Sequence, residues 1–186
     1  MMGYALCGSF CTHQKSLEML KKLIDRGYEI QPIVSETVYK TDTRFGTAVA
    51  LQDRLSELCK KELICNIVQA EPLGPKIKLE AMIICPCTGN TLAKIANGIT
   101  DTAVCMAAKA HLRSDRPLII ALASNDALSA NLQNISTLLS KKCVYFVPMV
   151  QDDPLNKPHS LVANFDRLPE TLEAALEGRQ SRKIFE

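Results

Sequence analysis

Ala81-Met82-Ile83-Ile84-Cys85-Pro86-Cys87-Thr88-Gly89-Asn90-Thr91-Leu92-Ala93-Lys94-Ile95-Ala96-Asn97 passes from an unbroken apolar run, through small polar residues, into a helical pattern. A run without polar alternation is what a strand covered on both faces looks like. Thr88 and Asn90 are types that cap a helix with a side-chain oxygen. The segment reads as a buried strand over Ala81–Cys85, a loop, and a helix over Asn90–Asn97. The same unit recurs on either side. Toward the amino end, Gly3–Cys7 is a strand, Gly8-Ser9-Phe10-Cys11-Thr12 a loop, and Leu17, Leu20 and Ile24 mark a helix face that Gly27 closes. Tyr28–Val34 is a second strand ending in Ser35-Glu36-Thr37, followed by a polar stretch from Tyr39 to Arg44 and helical spacing over Thr47–Cys59. Leu63–Val68 reads as a third strand before the turn cluster Glu71-Pro72-Leu73-Gly74-Pro75. Beyond the quoted stretch come a helix at Thr102–Arg113, a strand at Leu118–Ala123, a helix at Ala127–Ser140 and a strand at Val144–Val147. A polar loop then runs from Pro148 to Ser160, and Pro169–Gly178 forms a terminal helix. Alternating strands and helices predict one α/β domain over residues 1–186, a doubly wound, mainly parallel sheet of six strands. In such sheets ligands sit beyond the carboxyl ends of the strands, so those loops carry the functional question.

Composition narrows the classes. Trp is absent and the formal net charge is +2, with no Lys/Arg block interleaved with aromatics, so no nucleic-acid footprint is present. The apolar run Leu118–Ala123 is far short of the roughly 18 residues that span a bilayer. Met1 to Cys7 lacks a basic n-region and enters a strand directly, which predicts no signal peptide and a cytoplasmic protein. The eight cysteines contain no CxxC pair and fall mostly in apolar runs, the pattern of buried reduced thiols. The adjacent carboxylates Asp152 and Asp153 are too few for a metal site and suit caps within their own loop.

In the first loop, Gly8 permits close backbone approach and the following helix start offers N–H groups to a phosphate. The dinucleotide pattern G-x-G-x-x-G is absent, since Phe10 and Cys11 occupy that space, and an ordinary strand-to-helix turn is the alternative. Ser35 and Thr37 end the second strand, where their hydroxyls either share that anion or bond local backbone. The third loop presents hydroxyl and amide groups suited to a heteroaromatic ring, or else only caps its helix.

The third loop and its continuation, Pro86-Cys87-Thr88-Gly89-Asn90-Thr91 through Lys94, Ala96-Asn97-Gly98 and Asp101, resemble the Pro-Ala-Ser-Ala-Asn-Thr signature of the flavin-containing cysteine decarboxylase superfamily. The resemblance implies a Rossmann-like fold, flavin mononucleotide (FMN) as cofactor, and a homo-oligomer. It implies that Thr88, Asn90 and Thr91 contact the isoalloxazine ring, and that Gly8, Ser9, Ser35 and Thr37 serve the phosphate and ribityl end. Ala121-Leu122-Ala123-Ser124-Asn125-Asp126 stands where those decarboxylases grip substrate, and there only Ala123 and Asn125 match. No histidine lies between His13 and His111, where they place a catalytic one, which argues against cysteine decarboxylation.

A narrower branch of that superfamily is similar over nearly the whole chain, through Gly8-Ser9-Phe10-Cys11-Thr12, Ser124-Asn125-Asp126, Val147 to Pro154, and Lys157-Pro158-His159-Ser160. This similarity implies an oxidoreductase subunit of sporulating bacteria that forms a pyridine dicarboxylate from its dihydro precursor. It also implies a second subunit that carries NADP(H). A dianionic substrate needs cations or N–H donors, and Arg44, Asn125 and Lys157 are the candidates. Asn125 and His159 are the candidates for catalysis. A stand-alone flavin-dependent decarboxylase, a prenyl-transferring relative and a non-catalytic partner remain as alternatives.

Overall fold

The computed structural model describes residues 1–74 and 76–186, so Pro75, the last residue of the expected turn cluster, lies outside the described residues. The sheet begins with β1 (Met2–Leu6), and the chain returns through α1 (His13–Asp25) to β2 (Ile30–Val34). It continues through α2 (Glu36–Lys40), α3 (Ala48–Cys59) and α4 (Ile67–Ala70) to β3 (Met82–Cys87). From there α5 (Gly89–Ala96) and α6 (Ala103–Leu112) lead to β4 (Leu118–Ser124), and α7 (Leu132–Leu139) leads to β5 (Val144–Phe146). Two short strands, β6 (Met149–Val150) and β7 (Leu161–Ala163), precede α8 (Leu168–Leu176). β2, β1, β3, β4 and β5 lie side by side in that order, all parallel.

The apolar runs are unbroken because both faces of the sheet are covered. Met82 and Ile84 of β3 and Leu118, Ile120 and Leu122 of β4 face α5, α6 and α7. Their alternates Ile83, Cys85, Ile119 and Ala121 face α1, α3 and α8, as a side-chain period of two requires. Tyr4 is fully buried, and its hydroxyl is satisfied by the Ser16 carbonyl of α1 at 2.8 Å.

The doubly wound parallel class is as the sequence indicates, but the sheet has seven strands and not six. The expected strand Leu63–Val68 is absent. Only Ile64 pairs, in a bridge to Ile33, and the Asn66 side chain then accepts the Gln69 N–H at 3.0 Å and starts α4. Ile64 is buried while Val68 is 82% exposed, so the segment has no two-sided apolar face to hold it extended. The additional strands come from the region expected to be loop. β4 extends past β5, and its last residues Ala123 and Ser124 take β7 as an antiparallel neighbour. β7 in turn pairs with β6. α7 starts later than expected because the chain after β4 first makes a turn in which Asn131 N–H bonds the Asp126 carbonyl. α2 occupies part of the expected polar stretch, started by Ser35.

His13 and His111 are buried, and each is held by one backbone carbonyl, Cys7 at 2.8 Å and Pro117 at 2.9 Å. Burial lowers both from the ordinary 6.5. The unfolded chain therefore binds protons that the fold refuses, and stability is full above about pH 6.5 and is lost as the pH falls through the depressed folded values. Thermal melting should drop between roughly pH 6.5 and 5. The drop should be smaller in His111→Gln, and an equal drop in that variant would remove His111 from this account.

Candidate functional site

Strand order reverses at β1, so the loop after β1 and the loop after β3 leave the sheet in opposite directions and open a crevice between them. Three loops meet at its floor. Cys7 N–H bonds the Pro86 carbonyl at 3.1 Å, which ties the first loop to the third. A Cβ on Gly8 would lie 3.9 Å from the Thr37 methyl, which places the second loop beside the first. Each loop ends at a helix start with unpaired donors. Among the described residues, the N–H groups of Gly8, Ser9, Phe10 and Cys11 find no protein acceptor, nor do those of Glu36, Thr37, Gly89 and Asn90. Such rows of N–H groups make a concavity for an anion.

The side chains are ordered unevenly. The Ser9 carbonyl accepts from the Thr12 N–H at 3.0 Å and the Thr12 hydroxyl at 2.8 Å, which fixes the backbone and leaves the Ser9 hydroxyl facing only the Cys11 thiol at 4.0 Å. Ser35 is buried and accepts the Val38 N–H at 3.3 Å, keeping its own proton for a further acceptor. Thr88 accepts the Thr91 N–H at 3.2 Å and bonds the Thr91 hydroxyl at 3.1 Å. Thr91 is buried and its hydroxyl is held by Thr88, so it braces the loop from below. Asn90 is exposed, and its amide has no protein partner among the described residues.

Burial pushes the Cys7 and Cys85 thiols up to about 12 and Cys87 well above its usual value. These thiols stay protonated and act as packing under the loops.

Gly89 sets the geometry of the far wall. A Cβ there would fall under 3.0 Å from Ser124 Oγ, Asn131 Nδ2 and Asp126 Oδ1, so the loop after β4 lies directly on the start of α5. Asp126 accepts the Ser124 hydroxyl, and this bond holds its carboxyl below the usual range. Asn125 is exposed at the tip of that loop.

The three remaining candidates divide. His159 is exposed, and its carbonyl accepts the Leu128 N–H at 2.9 Å, which brings the 157–160 segment to the same side as Asn125. Lys157 is paired with Asp152 at 3.3 Å, and Asp153 accepts the Asn156 N–H at 3.1 Å, so this loop closes largely on itself. Arg44 stands apart, on the turn between α2 and α3, with its guanidinium 4.9 Å from the Phe45 ring centroid.

Glu36 was not among the expected residues. Its Oε1 accepts the Ala103 N–H at the start of α6 at 3.0 Å, and its Oε2 is buried without a partner among the described residues. The side chain clamps the Ser35–Thr37 turn against the helices that follow the signature loop. A carboxylate set between the hydroxyl residues Ser35 and Thr37 was its one visible signal.

A family model described as Flavoprotein matches residues 2–167. The chain belongs to the flavoprotein family. It is 43% identical over 183 residues to the B subunit of dipicolinate synthase from Bacillus subtilis, covering 98% of this chain and 92% of that protein. The crystal structure of the corresponding B subunit from Bacillus halodurans superposes with a TM-score of 0.91 at 41% identity, covering 100% of this chain and 95% of that one. Burkholderia xenovorans DmrB, solved in complex with FMN as a cubic protein cage for redox transfer, shares the fold at a TM-score of 0.68 and 20% identity, covering 95% of this chain and 94% of that one. A flavin fits the donor set described above: unpaired N–H groups for a phosphate at three loop ends, and an unpartnered amide at Asn90 for a ring edge. Gly8 adds room, because nothing lies nearer than 3.6 Å to a Cβ built on it. Among the described residues, no helix is long and apolar enough to cross a membrane.

Proposed function

We propose that residues 1–186 form one cytoplasmic, homo-oligomeric flavoprotein domain that binds FMN and serves as the B subunit of dipicolinate synthase. With the A subunit of that enzyme, which carries NADP(H), it oxidises dihydrodipicolinate to pyridine-2,6-dicarboxylate during sporulation. The observation that carries this reading is the match to the Bacillus subtilis protein along nearly the full length of both chains. Oxidation removes two electrons and two protons from the dihydro ring, and NADP on the partner is the terminal acceptor. Bound FMN supplies hydride chemistry at the crevice. Gly8 and Ser9 hold the phosphate with their free N–H groups, and Ser35 and Thr37 serve the ribityl end. Asn90 bonds the ring edge, with Thr88 and Thr91 keeping the loop in place. Arg44, Asn125 and Lys157 are the substrate-binding candidates, and Asn125 and His159 are the candidates for moving the ring proton.

FMN is preferred over FAD because the first loop lacks the further glycines that a pyrophosphate needs. Titration should show FMN binding more tightly than FAD. Asn90→Ala should weaken FMN by about 1–3 kcal/mol, the cost of leaving a ring donor or acceptor unmet, and tighter FAD binding would remove the assignment. The reaction itself is tested with separately purified proteins, following pyridine dicarboxylate by ultraviolet absorbance. Activity is expected only when both are present with NADP. Turnover by this chain without its partner would refute the division of labour, and turnover by the partner without this chain would reduce this chain to an accessory. A stand-alone decarboxylase is disfavoured by the absence of a histidine between His13 and His111.

A further inference from the structure

The loops of the crevice fall into two groups. The first and second lie side by side, Gly8 next to Thr37, and carry the free N–H groups assigned to the phosphate and ribityl end. The third begins α5 and is assigned to the ring. One tie between the groups is the bond from the Cys7 N–H to the Pro86 carbonyl. Glu36 starts another, on the side away from β1. It is the first residue of α2, directly after Ser35, and its Oε1 accepts the N–H of Ala103, the first residue of α6, at 3.0 Å. Two residues before Ala103, the Asp101 carboxylate pairs with Lys94 Nζ at 2.9 Å, and Lys94 stands in α5 three residues after Thr91. Thr102, between these two contacts, accepts the Cys105 N–H at 3.2 Å and so fixes the start of α6. α6 itself packs against both α5 and β2. Glu36 Oε2 is buried without a partner among the described residues, and the positive end of the α6 dipole favours the charge there.

The second loop is thus connected, bond by bond, to the helix that the third loop begins. Resting on the flavin reading above, we propose that Glu36 is a positioning residue that holds the phosphate and ribityl loops at a fixed span from the ring loop, through Ala103, Asp101 and Lys94. Two points of contact on one molecule reinforce each other only when the protein keeps its two subsites at the matching span. FMN uses both ends and gains from the strut. A ligand that is only the ring gains nothing from it.

The test is calorimetric titration of the full chain with FMN and with lumiflavin, which is the ring without its ribityl phosphate. Glu36→Ala should bind FMN about tenfold more weakly or worse, and lumiflavin within about twofold of the unaltered chain. Glu36→Gln, whose amide oxygen can still accept the Ala103 N–H, should restore most of the FMN affinity. Ala103→Pro removes the same bond from its other end. The first position of a helix accepts proline, and Thr102 before it is already extended at φ −131° and ψ 158°. This variant should repeat the Glu36→Ala pattern, and its lumiflavin binding reports that it has folded. Equal losses for the two ligands, undiminished FMN affinity in Glu36→Ala, or a Glu36→Gln no better than Glu36→Ala overturns the strut and leaves the FMN assignment standing. So does an unaltered chain that binds FMN but not lumiflavin, because the ring loop then gives the strut nothing to hold in register. An unaltered chain that takes up neither ligand overturns the flavin reading, and the strut with it.

Discussion

Gly89→Ala will lower the melting temperature and weaken flavin binding together. The added methyl has nowhere to go, because Ser124, Asn131 and Asp126 all stand under 3.0 Å from its position and the last two are locked to each other through the turn after β4. None of these atoms is the free end of a long side chain, so the loop must lift off the start of α5. Overpacking of this kind costs about 1–3 kcal/mol, equivalent in a chain of this size to a melting shift of roughly 2–12 °C at some 2–4 °C per kcal/mol. The signature loop shifts with it, so FMN affinity falls as well. Differential scanning fluorimetry with and without FMN measures both effects. A variant as stable as the parent would show that the loop after β4 adapts and does not define the crevice.

Gly8→Ala should have the opposite profile, with little change in stability and a large loss of FMN. A Cβ at Gly8 meets nothing closer than the Phe10 ring at 3.6 Å and the Thr37 methyl at 3.9 Å, which are ordinary contacts, and its backbone lies outside the positive-φ region that penalises alanine. The fold therefore tolerates the methyl. A phosphate seated on the four free N–H groups from Gly8 to Cys11 is expected not to, because close approach to that backbone is what the missing Cβ allows. Loss of a charge-assisted contact to those donors is worth about 1.5–3 kcal/mol, or roughly tenfold to a hundredfold in Kd. Retained FMN affinity at full stability would move the phosphate away from this loop. The pair of variants would thus separate a glycine kept small by the protein from one kept small for a ligand.

The parts of this architecture that depend on local pattern could be read from the chain. β1 to β5 announce themselves as apolar runs covered on both faces, whereas Leu63–Val68 imitates such a run without forming a strand. The place of the third loop was legible because its small hydroxyl and amide residues interrupt an apolar run just before a helical pattern. What the sequence hid depends on contacts made from a distance. Ile64 is a single anchoring residue, and only the free edge of β2 explains why it is buried while its neighbours are not. β6 and β7 span two and three residues, too few for any pattern, and exist because β4 projects beyond β5. Glu36 acts on Ala103, 67 residues away. The burial of Thr91 was equally invisible, since a strand-to-loop register has to be known before a threonine can be assigned to floor or rim.

The bridge at Ile64 has a consequence for how copies of this chain meet. A parallel sheet normally ends in two rows of free backbone groups, and such rows invite strands from other molecules. Here Val34 N–H and Ile64 N–H are both consumed across the β2 border, to Ile64 and Pro32 carbonyls at 2.9 and 3.1 Å. On the other border β5 is three residues long, and β7 occupies the remaining length of β4. Neither border offers a stretch long enough to template a foreign strand. Extension of the sheet from one molecule into the next is therefore disfavoured at both borders, which leaves helices and loops as the surfaces on which another copy can dock.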